Sequence, residues 1–405
     1  MFPLISTHKP DNRKLFRWIH VMINLQLDRK TEKCWVEVDL DAAIHNTRIL
    51  REIAGADRQL MICLKADAYG HGLVPMAEAA IAGGADRLCV ADVDEAVALR
   101  RADISCPIQI LIQPPLSAVF DLYRYNLIPT LSSPGIVRRM ADMLPGKLTV
   151  HVEVDTGMNR VNLKPENAVE FLNLVRSTGK FHVEGLFSHF SCSEAAHDPD
   201  AREFTKEQLK QFTKAVESCR AAGHPLPFIH MANTGAVINY PESYFDMIRP
   251  GFLVYGLPRD WIILPFKPVL SWKTRIQSLV KVDAGHGIGY ERTYVVSHDT
   301  TLAAVACGYS DGYSHLLSGK SDMLVRGMRA KVVGRVGMNQ TMIDVGDIPD
   351  AEIGDEVVLI GTQEGVSISA TDLAKYIGMT PALVTSTISR KIPRLYVNVP
   401  DCVTC

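Results

Sequence analysis

The chain has 405 residues, a length that favours two domains over a single core. Its residues are 47% apolar and 22% charged with a formal net charge of -2, an ordinary globular balance that offers no basic excess for a nucleic-acid backbone. Nine cysteines, an odd number scattered along the chain, argue against a disulfide framework and for a reducing compartment.

Residues 15–27 (LFRWIHVMINLQL) have the flavour of a signal-peptide core, but Arg17 and His20 interrupt them and no small-residue cleavage site follows. Met22 is an alternative start, and residues 1–33 are set apart as an N-terminal extension. With no clear signal segment the expected location is cytoplasmic, and no run reaches the roughly 18 uninterrupted apolar residues of a membrane span.

From residue 34 a rhythm of short apolar runs and helical stretches begins. Strand-like runs fall at 59–64, 88–93, 108–112, 127–131, 148–154, 182–187, 228–231 and 247–256, with helical composition at 73–82, 95–101, 165–176 and 202–222. Eight alternating units predict an α/β fold, a (β/α)8 barrel over 34–265. No G-x-G-x-x-G follows the first strand, which disfavours a dinucleotide fold. Past the Pro258–Pro268 region the text turns strand-rich, at 270–282, 301–307, 323–336, 342–345, 356–360 and 395–399, with one helical stretch at 370–376. Residues 266–405 therefore read as a mainly-β C-terminal domain. Cys402 and Cys405 form a lone C-x-x-C without the histidines or second pair that a metal site needs, and no metal is expected.

Lys65 ends the apolar run MICLK, at the strand terminus where a barrel places catalytic groups. An apolar surround favours the neutral amine that covalent carbonyl chemistry requires, although many strand-terminal lysines merely meet solvent. The string LKADAYGHG around it resembles the cofactor-lysine motif of alanine racemases. Further matches follow in order: VDTGMNR at 154–160, SHF at 188–190, HMANT at 230–234, IRPGFLVYG at 248–256, GYSDG at 308–312, GRVGMNQ at 334–340 and TISRKIPR at 387–394. The resemblance runs from about residue 34 to 397 and implies a pyridoxal 5'-phosphate (PLP) barrel followed by a β domain.

By that resemblance, the activity is racemisation of L- and D-alanine, supplying D-alanine for cell-wall peptidoglycan. Lys65 holds PLP and serves one face of the substrate Cα; Tyr290, in GYERTY, serves the other. Arg249 pairs with the pyridine nitrogen, and because arginine keeps its proton that nitrogen stays unprotonated. His189 relays hydrogen bonds between Arg249 and Tyr290. Tyr69, Thr234, Gly251 and Phe252, with Asn233 adjacent, match the phosphate positions. Arg160 meets the PLP phenolate and the substrate carboxylate, and Met338 offers that carboxylate its N–H. Tyr290 and Met338 come from the second subunit in the family, which implies a homodimer with shared sites. Tyr309 is a supporting residue in the GYSDG motif.

Two departures stand out. Many members carry a carbamylated lysine seven residues before the arginine matched by Arg160; here Glu153 supplies a carboxylate, with bidentate geometry available. At the substrate entry, alignment puts Ala382 in place of a tyrosine, His315 in place of an arginine and Asn339 in place of an aspartate. Less bulk and charge there predict a broader specificity, reaching serine or longer side chains. The competing readings are a PLP decarboxylase on the same barrel, a barrel-only PLP carrier and a cofactor-free scaffold.

Overall fold

The computed structural model describes residues 32–257 and 264–400, and the extension 1–31, the tip of the interdomain connection and the terminal Cys402/Cys405 pair lie outside the described residues. Eight parallel strands close into a barrel: β2 (Gln59–Cys63), β3 (Arg87–Val90), β4 (Ile108–Ile110), β5 (Ile128–Leu131), β6 (Leu148–Glu153), β7 (Phe181–Phe187), β8 (Phe228–His230) and β9 (Met247–Ile248). Each follows one of the eight predicted apolar runs, because a barrel strand is covered on both faces and reads as continuously apolar. The last run is far shorter than the sequence suggests. Strand β9 has two residues, and Pro250, which cannot donate to a ladder, turns the rest of IRPGFLVYG into loop and turn.

The strand β1 (Cys34–Asp39), grouped with the barrel in the sequence reading, pairs elsewhere. It lies antiparallel to β10 (Leu270–Val282) and parallel to β19 (Arg394–Val397). Eight strands already close the barrel, so β1 completes the other, nine-stranded sheet, in which it lies between β10 and β19. The remaining strands are β11 (Gly287–Ile288), β12 (Tyr294–Val295), β13 (Thr300–Val305), β14 (Asp322–Val325), β15 (Met328–Val333), β16 (Thr341–Asp344), β17 (Glu356–Gln363) and β18 (Val366–Ile368). The predicted run 323–336 is the hairpin β14–β15, turned at Arg326 and Gly327, both at positive φ. A helix at Pro381–Ser386, capped by the Thr380 hydroxyl, was not anticipated.

Space inside the barrel is tight around His151. A Cβ on Gly185 would stand 2.6 Å from the His151 ring and 2.8 Å from the Phe228 carbonyl oxygen. Gly185→Ala is therefore expected to destabilise the fold by about 1–3 kcal/mol, read as a lower urea midpoint at unchanged m-value.

Candidate active site

The segment after β2 carries the first site residue. Residues Ala66, Asp67, Ala68 and Tyr69 all have φ between 52° and 56°, so Lys65–Tyr69 is a left-handed turn rather than an ordinary helix. For L-residues this conformation costs about 1–2 kcal/mol per residue, and it persists only where the surroundings dictate it. Here Ala68 N–H donates to Leu64 O at 2.8 Å, Asp67 N–H to Glu95 Oε1 at 2.8 Å, and Leu73 N–H to Asp67 Oδ1 at 2.8 Å. Gly70 closes the turn at φ 85°, and a Cβ there would meet the Thr385 carbonyl at 2.2 Å. Arg394, at the far end of the chain, donates to Gly70 O at 3.2 Å. The turn holds Lys65 at the barrel mouth, where its side chain is exposed, with Nζ 6.0 Å from the Tyr69 ring centre.

Tyr69 leans on Tyr255, ring centres 4.8 Å apart, and Tyr255 donates to Cys63 O at 2.8 Å. Burial pushes the Tyr69 phenol well above its ordinary pKa, so its hydroxyl remains a donor. That hydroxyl stands 2.8 Å from where a Cβ on Gly251 would be, which makes Gly251 a cradle only glycine leaves open. The Gly251 N–H donates to Thr234 Oγ1 at 2.9 Å. Asn233 Oδ1 accepts from Ala236 N–H at 3.2 Å and from the Ser193 hydroxyl at 2.6 Å, and Phe252 is buried alongside.

Arg249 is buried and donates through Nη2 to Ser188 O at 2.7 Å and Met231 O at 3.4 Å, while its Nε has no partner. A buried guanidinium N–H left without an acceptor is costly, so this one marks a place for a ligand atom. His189 lies close by, its Nε2 3.5 Å from Asn233 Nδ2 and its Nδ1 unpaired. Burial first, then the charges of Arg249, Arg160 and Lys65, hold His189 well below its usual pKa and therefore neutral at pH 7. The four residues share one electrostatic neighbourhood.

Glu153 and Arg160 do meet, but not as a two-oxygen fork. Arg160 Nη2 and Nε both donate to Glu153 Oε1, at 2.8 and 3.2 Å. Arg160 approaches from the half-open mouth, so only one carboxylate oxygen of the buried Glu153 is in reach. Burial raises the Glu153 pKa, and Arg160 works against that rise.

The β-domain residues stand apart within one chain. Tyr290 is 74% exposed and Met338 54% exposed, and the Met338 N–H has no acceptor among the described residues. Tyr309 meets His315 edge to face at 6.2 Å, and Asn339 Nδ2 donates to Ser310 Oγ at 2.9 Å. Ala382 is half-buried against the core, in the Pro381–Ser386 helix that packs on the Lys65–Tyr69 turn.

Sequence reasoning passed over a polar chain inside the barrel, Arg87, Glu184 and His151 leading to His230. Its signal was present as charged and imidazole side chains at strand positions that otherwise read apolar, as in RLCV and LTVHVE.

Two family models match the chain one after the other: alanine racemase, N-terminal domain, over residues 38–259, and alanine racemase, C-terminal domain, over 269–396. The alanine racemase of Halothermothrix orenii is 40% identical over 376 residues, covering 91% of this chain and 98% of that protein. That of Desulfosudis oleivorans is 37% identical over 380 residues, covering 90% and 96%. Among solved structures, alanine racemase from Bacillus anthracis with bound L-Ala-P superposes with a TM-score of 0.85 at 31% identity, covering 91% of this chain and 95% of that one. The enzyme from D-cycloserine-producing Streptomyces lavendulae gives 0.85 at 30% identity, covering 92% and 98%. With both domains matched in order over nearly the whole described chain, this protein belongs to the alanine racemase family.

Proposed function

We propose that this protein interconverts L- and D-alanine with pyridoxal 5'-phosphate, supplying D-alanine for peptidoglycan. The observation that carries the cofactor is the unpaired Nε of buried Arg249, beside neutral His189, on which the charges of Arg160 and Lys65 also act. Lys65 would hold PLP, Arg249 Nε–H would meet its ring nitrogen, and Tyr69, Thr234, Gly251 and Phe252, beside Asn233, would surround its phosphate. When bound, the cofactor supplies the electron sink that makes the substrate Cα–H acidic.

The remaining chemistry is proton handling. Removing a proton from one face of Cα and returning one to the other needs two groups, Lys65 and the partner subunit's Tyr290. Arg160, steadied by Glu153 through Oε1, would orient the substrate carboxylate, and Met338 of the partner subunit would offer it the free N–H. The exposure of Tyr290 and Met338 in one chain supports a homodimer that buries both against a neighbour's barrel mouth. Among the described residues no helix is long and apolar enough to cross a membrane.

The test is to incubate the protein and PLP with single-enantiomer amino acids and follow loss of optical activity. Alanine should racemise fastest. Serine and longer side chains should follow if Ala382, His315 and Asn339 widen the entry, and turnover of alanine alone would remove that extension. Carbon dioxide release without racemisation would overturn the reading in favour of decarboxylation.

A further inference from the structure

Inside the barrel, below the mouth, four side chains from four strands form one chain of contacts. Arg87 of β3 grips Glu184 of β7 through both terminal nitrogens, at 2.8 and 3.0 Å. Glu184 Oε2 lies 3.0 Å from His151 Nε2 on β6, and His151 Nδ1 lies 2.8 Å from His230 Nε2 on β8. Arg87, His151 and His230 are buried. His230 stacks on Phe187 at 4.8 Å with the rings 8° from parallel, and the Arg249 guanidinium sits 5.1 Å from the centre of that same ring. Room for His151 exists only because residue 185 is glycine, beside a shift in the β6–β7 register. Desolvating such a network is expensive, and an apolar layer would fill a barrel at lower cost.

The proton positions follow from one end. Burial opposes the Glu184 charge, but hydrogen bonds from His151 and Arg87 outweigh it and hold the pKa at about 2, so Glu184 can only accept. His151 must then donate from Nε2. Burial lowers the pKa of both histidines, so each is neutral with a single N–H. His151 Nδ1 is thus a lone pair that accepts from His230 Nε2–H. His230 is left with a bare Nδ1, buried and without any donor. Burial lowers the His230 pKa, and the Arg249 charge adds to that lowering.

We propose that Arg87, Glu184, His151 and His230 are positioning residues for Arg249. They lock His230 in the tautomer whose outer nitrogen carries a lone pair rather than a proton, and so favour the Arg249 cation in one orientation. Touching neither substrate nor cofactor, they act only through Arg249. The proposal rests on the assignment of Arg249 to the cofactor ring.

Nitrogen-15 spectra of histidine-labelled, cofactor-free protein at pH 7 test the proton positions directly. The expected result is Nε2–H and bare Nδ1 at both His151 and His230; an Nδ1–H on His230 would overturn the proposal. Glu184→Gln, checked for folding by thermal unfolding, should shift the His230 signals, weaken PLP binding and lower kcat by about tenfold with KM within about twofold, and Glu184→Asp should recover part of each. Wild-type PLP affinity and kcat in a folded Glu184→Gln protein would also overturn it. Should that variant not fold, the wild-type spectrum decides alone. Should the wild type show no racemisation, the spectrum still separates failure of the functional reading from failure of the tautomer lock.

Discussion

Lys65→Ala is expected to abolish racemisation, by about a thousandfold or more, and to release the cofactor from covalent attachment. The two losses have one cause. Lys65 is the only lysine that the left-handed turn 65–69 carries to the barrel mouth, next to His189, Arg160 and Arg249. Borohydride reduction of the wild-type holoenzyme should fix the cofactor's mass on the peptide containing Lys65, and Lys65→Ala should show none there. Since the turn is held by Leu64, Asp67, Glu95 and Arg394 rather than by the lysine side chain, the variant should unfold at the temperature of cofactor-free wild type. Retained racemisation, or the added mass on another lysine, would move the cofactor elsewhere.

Local pattern made much of this arrangement legible. Eight short apolar runs announced eight strands because both faces of a barrel strand are covered. Motif order put Lys65, Arg160, His189 and Arg249 together, and in the structure the charges of Arg249, Arg160 and Lys65 all act on His189. What escaped depends on contacts distant in sequence. Strand β1 joins the β domain through partners more than 200 residues away, such as Thr274 opposite Cys34 and Leu395 opposite Glu37. The stretch KADAY carries no local signature of a left-handed turn; its backbone is held by Glu95, Arg394 and the Thr385 carbonyl that abuts Gly70. The pairing of His151 with Glu184 and His230 has no local signature beyond polar residues in apolar strands.

A second large effect is expected from mixing two inactive enzymes. If each site takes Lys65 from one chain and Tyr290 from its partner, Lys65→Ala and Tyr290→Phe homodimers are both dead. Unfolding and refolding an equimolar mixture gives heterodimers in about half of all molecules, by the statistics of a two-fold dimer. In each heterodimer one site collects both substitutions and the other collects neither. Activity should therefore return to about one quarter of wild type. A site built within one chain predicts no recovery, because every site would then carry one defect. The presentation of Tyr290 favours the shared arrangement. Gly289, Glu291 and Arg292 take positive φ around it, and Arg335 pairs with Glu291, so a defined loop holds a 74% exposed ring outward. A partner subunit that covers this face would bury Tyr290 and Met338 together, the two exposed residues that the shared site needs. The same mixture at decreasing protein concentration should lose the recovered activity as dimers dissociate, which ties the rescue to the interface rather than to either chain alone.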